Sequence, residues 1–172
     1  MAGPQRGKAA IRAWTRPAAE WQGPFDPRPT ARNAMTDPTI DRHMKGFGEF
    51  VGYRVARWEP DLCAVAVAIE PRHVNIHDIV HGGVVTTIMD KAGGLCGLRR
   101  EGEDGDGGRT SLTISMTVNF LASAGPGAVL TATARKRGGG KRIFFCSIEV
   151  TDEDGRLIAL GDGAYKLREA KD

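Results

Sequence analysis

The sequence predicts an α+β domain in which a curved antiparallel β-sheet wraps around one long, buried helix. Three observations predict it. Apolar residues in the segment 81–98 recur at the spacing of helical turns, without strand-like alternation. Two apolar runs before that segment and four after it have the length of β-strands. Turns containing Pro, Gly or Asp-Gly separate these runs, which is typical of strands that reverse direction.

The composition of residues 1–36 indicates that this segment has no folded structure of its own. They are rich in Pro, Ala, Arg and Gly, and they hold six Lys or Arg against two acidic residues. We expect a disordered or non-native N-terminal extension, with Met35 as the natural start. An Arg-rich, acid-poor start is also found in organelle transit peptides, which is the alternative. One domain is predicted over residues 37–172, a length that suits a single core.

A short helix, a hairpin and a loop are predicted before the central helix. Residues 39–50 follow Pro38 with apolar residues at helical spacing, so we expect a helix over a pocket mouth or a sheet edge. The first two strands join through a turn at residues 59–61 and form a hairpin. The predicted strands are residues 53–58, 62–69, 112–121, 129–135, 142–150 and 157–167.

Neither of two polar segments fits a metal site. His73, His77 and His81 recur every four residues, but Pro71 indicates irregular backbone, where that spacing has no ligating meaning. We expect His73 and His77 to be exposed loop residues. The connector 99–109 is rich in acidic residues and glycine, yet it lacks the glutamate that a calcium loop requires. We expect it to be mobile.

The central helix carries many glycines and one unusual carboxylate. A glycine inside a helix costs about 1 kcal/mol relative to alanine, so we expect these glycines to mark close approach of other backbone. Asp90 lies on a face of small and hydroxyl-bearing residues. A partly buried carboxylate there suits acid or base chemistry, whereas the structural alternative is an ion pair or a hydrogen bond to Thr86.

A spaced motif leads into this helix. Asn75 stands six residues before His81, His81-Gly82-Gly83 begins the helix, and Asp90 follows nine residues after His81. With the strands that follow, this pattern resembles the hotdog-fold acyl-CoA thioesterases, in particular the PaaI-like phenylacetate-pathway group. The resemblance covers about residues 45–168. It implies the hotdog fold, with the curved sheet wrapped around the central helix.

The resemblance also implies a mechanism of thioester hydrolysis. Asp90 would be the nucleophile or the base that activates water, and these two roles stay open. The backbone amide of Gly82 or Gly83 would polarise the thioester carbonyl, because a helix N-terminus offers free N–H groups and the positive end of the dipole.

Three further residues have implied roles at this site. His81 would hydrogen-bond near the thioester, Asn75 would hold the loop or the attacking water, and Thr113 matches a family hydroxyl near that water. A helix cap for His81 and a simple turn for Asn75 are equal alternatives. Asp78 stands where the family often has glycine, so the loop before His81 could differ in path or charge.

Coenzyme A contacts are expected in two places. Lys141 and Arg142 belong to a basic hairpin tip that could attract phosphates, and the alternative is a solvated turn. Ala122 and Ser123 occupy positions where the family commonly has a basic residue and proline, which puts a usual coenzyme contact in doubt.

The resemblance implies a substrate and an assembly. We expect hydrolysis of an aryl- or medium-chain acyl-CoA to free acid and CoA, with an acyl-carrier-protein substrate as a further possibility. The implied assembly is a homodimer, extended to a homotetramer as a dimer of dimers, with sites shared between subunits. No cofactor and no metal are implied. The alternatives are a non-catalytic acyl-CoA-binding hotdog protein and a hotdog hydratase or dehydratase.

Composition argues against other partners. Outside residues 1–36 the chain holds 18 basic and 19 acidic residues, and it has no basic stripe for nucleic acid. No apolar run approaches the ~20 residues that span a bilayer, so no membrane partner is expected. Cys63, Cys96 and Cys146 lie in apolar contexts and predict buried free thiols in a reducing, cytoplasmic setting.

Overall fold

The computed structural model describes residues 38–169, and they form the expected α+β arrangement. One six-stranded sheet contacts the long helix through all of its strands. The predicted extension 1–36 lies outside the described residues. The elements are α1 (Pro38–Met44), α2 (Phe47–Val51), β1 (Arg54–Glu59), β2 (Leu62–Ala68), a 3-10 turn (Pro71–His73), α3 (Gly82–Cys96), β3 (Thr110–Phe120), β4 (Val129–Gly139), β5 (Ile143–Thr151) and β6 (Leu157–Arg168).

The strand order is β1-β2-β4-β5-β6-β3, and every neighbouring pair is antiparallel. The predicted first hairpin is confirmed. The last four strands were predicted to form a meander, in which each strand pairs with the next one along the chain. This prediction is wrong for β3. β4 pairs with β2 and β5, so β3 cannot lie beside it and pairs with β6 instead. This leaves one side of β3 as a free edge of the sheet.

The core lies between α3 and the inner face of the sheet. Residues of β4 and β5 alternate between buried and more exposed positions, as expected for strands with one face in the core. Ile88, Met89 and Ala92 of α3 have no exposed surface. All three cysteines are buried and free, as predicted.

Glycines in and just after α3 mark close contacts, although the nearest atoms to Gly93 and Gly97 belong to rings and not to the expected backbone. A Cβ atom on Gly93 would lie 2.1 Å from the hydroxyl oxygen of Tyr165, and one on Gly97 would lie 2.7 Å from the ring of Phe144. These two rings stack with their centroids 5.4 Å apart. The missing side chains therefore admit two aromatic residues of the sheet.

The predicted helix at residues 39–50 is two helices, separated where Gly46 adopts a φ of 66°.

α1 is bonded to the connector 99–109, which the sequence predicted to be mobile. Arg42 and the Nε2 atom of His43 bond to the carboxylate of Asp106, the latter at 2.8 Å. Asp106 is fully buried, and a buried carboxylate requires such partners. The expectation of a mobile connector is therefore wrong around Asp106.

The prediction that His73 is an exposed loop residue is also wrong. It is 4% exposed, since its Nδ1 accepts the Glu70 N–H at 3.0 Å and its carbonyl accepts the His81 N–H at 2.8 Å. His77 is exposed, as predicted.

Within residues 38–169 no group of His, Cys, Asp or Glu could hold a metal ion. No helix in that range is long and apolar enough to cross a membrane.

Candidate active site

The N-terminus of α3 is capped by the ring of His81. Its Nδ1 atom accepts the Gly83 N–H at 2.9 Å, which satisfies one of the donors that a helix start leaves free. The neighbouring N–H of Gly82 has no acceptor among residues 38–169. The amide of Gly82, and not that of Gly83, is therefore open to a ligand at the positive end of the helix dipole.

Asp90 is held from the edge strand. Thr113 of β3 donates its hydroxyl to the Asp90 carboxylate at 2.6 Å. Asp90 forms no ion pair with any described residue, and the Thr86 hydroxyl donates to the Gly82 carbonyl instead, at 2.9 Å. Neither structural alternative for Asp90 is observed. The carboxylate is partly exposed and keeps acceptor positions free for a bound water or substrate.

β3 runs antiparallel to α3 along the whole of this face. At one end, a Cβ atom on Gly82 would lie 3.2 Å from the Phe120 ring. At the other end, the Ser111 hydroxyl donates to the Gly94 carbonyl at 2.7 Å. The bond to Asp90 lies between these contacts. Both predicted catalytic positions of the helix therefore lie along the free edge of the sheet.

Asp90 and Gly82 are too far apart to act together within one chain. They are separated by eight positions on α3, which corresponds to roughly 12 Å along the helix axis. A carboxylate that attacks or activates water and an amide that binds the carbonyl oxygen must both contact one thioester group. Within one chain these two groups therefore do not contact the same thioester group.

The loop before α3 is held by contacts within itself. The side-chain oxygen of Asn75 accepts the His77 N–H at 2.9 Å, and the Asn75 N–H donates to the Ile79 carbonyl at 2.9 Å. These bonds match the turn-forming alternative for Asn75. Asp78 adopts a φ of 56°, in the left-handed region that favours glycine, and its side chain is exposed.

A basic cavity lies at the other end of α3. It has a volume of about 660 Å³, and its wall includes Lys141 and Arg142. Neither of these cations forms an ion pair with a described residue. Gly97 also lines the cavity, about 10 Å beyond Asp90 along the helix axis. The other cations of the wall are Arg99, Arg100 and Lys136.

The two groups of predicted coenzyme contacts are not brought together. Ala122 and Ser123 follow the end of β3 that contacts Gly82. Lys141 and Arg142 precede β5, at the opposite end of the sheet. Within one chain they cannot contact the same phosphate group.

Sequence reasoning missed several residues around these sites. Arg99 and Arg100 come three and four residues after the end of α3, and the sequence shows them as a basic pair; in the structure they line the same cavity as Lys141 and Arg142. Tyr53 carries no such signal, because it reads only as the start of a strand. Burial raises the pKa of Tyr53, and the negative charge of Asp90 raises it further.

Comparison with known proteins gives the family and the structures to which this chain is similar. The family model described as the thioesterase superfamily matches residues 77–159. The medium/long-chain acyl-CoA thioesterase YigI of Escherichia coli K12 is 28% identical over 136 residues, covering 73% of this chain and 86% of its own. The crystal structure of the TT0310 protein from Thermus thermophilus superposes with a TM-score of 0.61 at 27% identity, covering 70% of this chain and 95% of that one.

A further structure shares the fold with a bound coenzyme. It is a hypothetical thioesterase from Streptococcus pneumoniae TIGR4, solved with coenzyme A, and it has a TM-score of 0.65 at 18% identity. The match covers 77% of this chain and 98% of that one. With the antiparallel sheet around α3 and the match across its helix and strands, the chain has the hotdog fold of the thioesterases, and the family whose model it matches is one of thioester hydrolases.

Proposed function

We propose that this chain is an acyl-CoA thioesterase that uses Asp90 and the amide of Gly82. The observation that carries the proposal is the pair of open groups on one helix. Asp90 is oriented by Thr113 at 2.6 Å, and the Gly82 N–H has no acceptor among residues 38–169. The amide would stabilise negative charge on the carbonyl oxygen, a contribution of about 2.7–4 kcal/mol in comparable oxyanion sites.

The reaction adds oxygen to the thioester carbonyl carbon and breaks the carbon–sulfur bond. Asp90 either removes a proton from the attacking water or attacks directly, after which water hydrolyses the resulting anhydride. The leaving thiolate of coenzyme A takes up a proton. The products are the free acid and CoA, and the Thr113 hydroxyl keeps Asp90 in position throughout.

The basic cavity supports coenzyme A as the carrier of the acyl group. Lys141 and Arg142 have no ion-pair partner among the described residues, and cations form strong charge-assisted bonds to phosphate oxygens. The name of the E. coli relative and the coenzyme in the S. pneumoniae structure support the same carrier. The acyl group we propose is aryl or medium-chain aliphatic.

We propose a two-fold dimer that pairs the free edges of two β3 strands. In antiparallel pairing, the Phe120 end of one chain lies beside the Thr110 end of its partner. Pairing centred between Met116 and Thr117 sets residue 113 of one chain opposite residue 120 of the other. Asp90 of one chain would then approach Gly82 of the partner subunit, because Thr113 and Phe120 are their respective neighbours.

The same pairing would join the two separated coenzyme contacts. It brings Ser123 of one chain toward the end of the partner subunit that carries Lys141 and Arg142. A tetramer of two such dimers is supported by four exposed apolar residues on the outer face of the sheet, between 39% and 54% exposed. They are Leu112, Ile114, Ile143 and Phe145.

The first test measures thiol release from benzoyl-CoA and from aliphatic acyl-CoAs of two to twelve carbons. Asp90→Asn should lower kcat by about 10²–10⁴-fold, the usual contribution of a positioned base, and leave the fold intact because the amide oxygen can still accept from Thr113. Undiminished hydrolysis by folded Asp90→Asn would refute the mechanism. Tight acyl-CoA binding without hydrolysis by the parent would favour a binding protein.

The second test asks whether the site spans two chains. Asp90→Asn and Gly82→Pro each remove one of the two groups, so each homodimer should be inactive. When the two variants are refolded together in equal amounts, about half of the dimers are heterodimers. Each heterodimer has one intact site of its two, so the mixture should have about a quarter of the parent activity. If the mixture stays as inactive as its components, the shared site is wrong.

A further inference from the structure

The ring of Phe120 is directed end-on at the first residue of α3. A Cβ atom on Gly82 would lie 3.2, 3.4 and 3.8 Å from the Cζ, Cε1 and Cε2 atoms of Phe120, which are the atoms at the far end of the ring. The missing side chain at Gly82 therefore lets the ring reach the helix backbone. Phe120 is 56% exposed, so its ring packs on this glycine at the surface and not in the core.

The glycine under the ring carries the open donor of the helix start. The Gly82 N–H has no acceptor among the residues that the structure describes, whereas the Gly83 N–H donates to Nδ1 of His81 at 2.9 Å. An oxygen bound by the Gly82 N–H would lie about 2.9 Å from its nitrogen. The ring lies against the α-carbon bonded to that nitrogen, so the oxygen and the ring would be neighbours around one residue.

An irregularity in β3 places Phe120 on the same face of the strand as Thr113. Seven positions separate the two residues, and in a regular strand an odd separation puts side chains on opposite faces. The register between β3 and β6 shifts between Thr113 and Ser115, so Thr113 pairs with Tyr165 and Phe120 pairs with Ala159. Tyr165 and Ala159 are both fully buried, on the core face of β6. Such irregularities often direct a side chain toward an active site.

The face of β3 that is turned to α3 therefore makes two chemically different contacts. The Thr113 hydroxyl donates to the Asp90 carboxylate at 2.6 Å, which suits a group that carries charge. The Phe120 ring has no oxygen or nitrogen that could accept the Gly82 N–H. It occupies space in which a water molecule would compete for that donor, and an amide acts more strongly on a nearby charge when water is excluded.

We propose that Phe120 is a positioning residue that keeps water away from the Gly82 amide and so strengthens the bond of this amide to the thioester oxygen in the transition state. The inference rests on the proposed function, in which the Gly82 amide stabilises negative charge on that oxygen. This charge develops only after the substrate is bound. Phe120 therefore raises kcat and has little effect on KM.

The test measures kcat and KM for Phe120→Ala in three backgrounds, with the acyl-CoA that the parent hydrolyses fastest. In the parent, kcat should fall about tenfold, as for one hydrogen bond opened to water, with KM within about twofold. The same loss is expected in Gly82→Ala, which keeps the N–H. In Gly82→Pro, which has no N–H to shield, the residual kcat should change less than about twofold, because the two effects are coupled.

Two further variants separate shielding from the loss of any exposed apolar group. Phe120→Leu keeps an apolar side chain at the site and should retain most of kcat. Leu121→Ala is the matched control, because Leu121 is 54% exposed and is the next residue of the chain. It should leave kcat unchanged.

Hydrogen exchange gives a readout that does not depend on hydrolysis. In Phe120→Ala the Gly82 amide should exchange faster with solvent than in the parent. The Gly83 amide should keep its rate, because its bond to His81 is not altered. Equal exchange of the Gly82 amide in both proteins would overturn the inference.

The outcomes separate this inference from the proposed function. A parent that hydrolyses no acyl-CoA, or a Gly82→Pro variant as active as Gly82→Ala, refutes the proposed role of the amide, and the inference falls with it. If Gly82→Pro is impaired but Phe120→Ala lowers kcat equally in all three backgrounds, the inference alone is wrong. A loss of activity that follows dissociation of the assembly in light scattering would assign the ring to a subunit contact and also refute it.

Discussion

The amide of Gly82 can be removed without disturbing the helix that carries it. Gly82 is the first residue of α3, where proline is well tolerated because its missing N–H would have had no partner within the helix. His81 has φ −65° and ψ 133°, the extended conformation that a residue before proline requires. Gly82→Pro therefore deletes one hydrogen-bond donor at a position suited to proline.

The size of the effect follows from what this donor does. If it binds the developing oxyanion, its loss should lower kcat about 10²–10³-fold, equivalent to about 2.7–4 kcal/mol of transition-state stabilisation. The added Cβ atom would lie 3.2 Å from the Phe120 ring, which is half-exposed and can shift. Gly82→Ala adds the same Cβ atom but keeps the N–H, so it is the matched control and should stay within about threefold of the parent.

The assay is steady-state thiol release from one acyl-CoA, with thermal melts of all three proteins. Both variants should melt within a few degrees of the parent, because proline and alanine are each acceptable at a first helical position. If the proline variant hydrolyses as well as the alanine variant, the Gly82 amide does not bind the carbonyl oxygen. The reasoning from its unpartnered N–H would then be wrong.

Three further predictions concern the residues around the helix. His81→Ala should lose the cap on Gly83, worth about 1 kcal/mol, and His81→Asn should restore both stability and most activity; a stable but inactive Asn variant would indicate direct chemistry by the imidazole. Burial lowers the pKa of His43 below its usual value of about 6.5, so the unfolded chain binds the proton more readily and the free energy of unfolding should fall as the pH drops below that value. Urea unfolding at pH 8 and pH 5.5 tests this, and His43→Gln should reduce the difference. Gly93→Ala should destabilise the protein by about 1–2 kcal/mol, because overpacking against Tyr165 exceeds the helix gain, whereas Gly138→Ala, with no atom within 4 Å, should be neutral.

The fold was largely predictable because its signals are local. The apolar spacing of residues 81–98 and the turn-bounded strands required no knowledge of distant contacts. The position of β3 was not predictable in this way, because it depends on β2 occupying the free side of β4. The burial of Asp106 was also hidden, since its partners Arg42 and His43 lie more than 60 positions earlier in the chain.

The residues of the candidate site were proposed from the sequence, and their contacts could not be predicted from it. The resemblance to the hotdog thioesterases singled out Asp90, His81 and Asn75, and the structure adds that the ring of His81 and the side chain of Asn75 satisfy backbone donors nearby. The rotamer of His81 decides whether the amide of Gly82 or that of Gly83 is free. The pattern of residue types does not determine this rotamer.

The edge position of β3 connects these observations. An edge strand of 11 residues would expose unpaired backbone groups along its length, a liability that proteins usually cover or interrupt. Here it also carries Thr113 toward Asp90 and Phe120 toward Gly82, two groups of one helix that cannot reach the same carbonyl. The proposed pairing of two such edges would resolve both problems at once, because it would satisfy the backbone groups and bring the carboxylate of one chain toward the amide of the other. The same contact that removes the exposed edge would therefore complete the active site, and a monomer of this chain should be inactive even when it is folded.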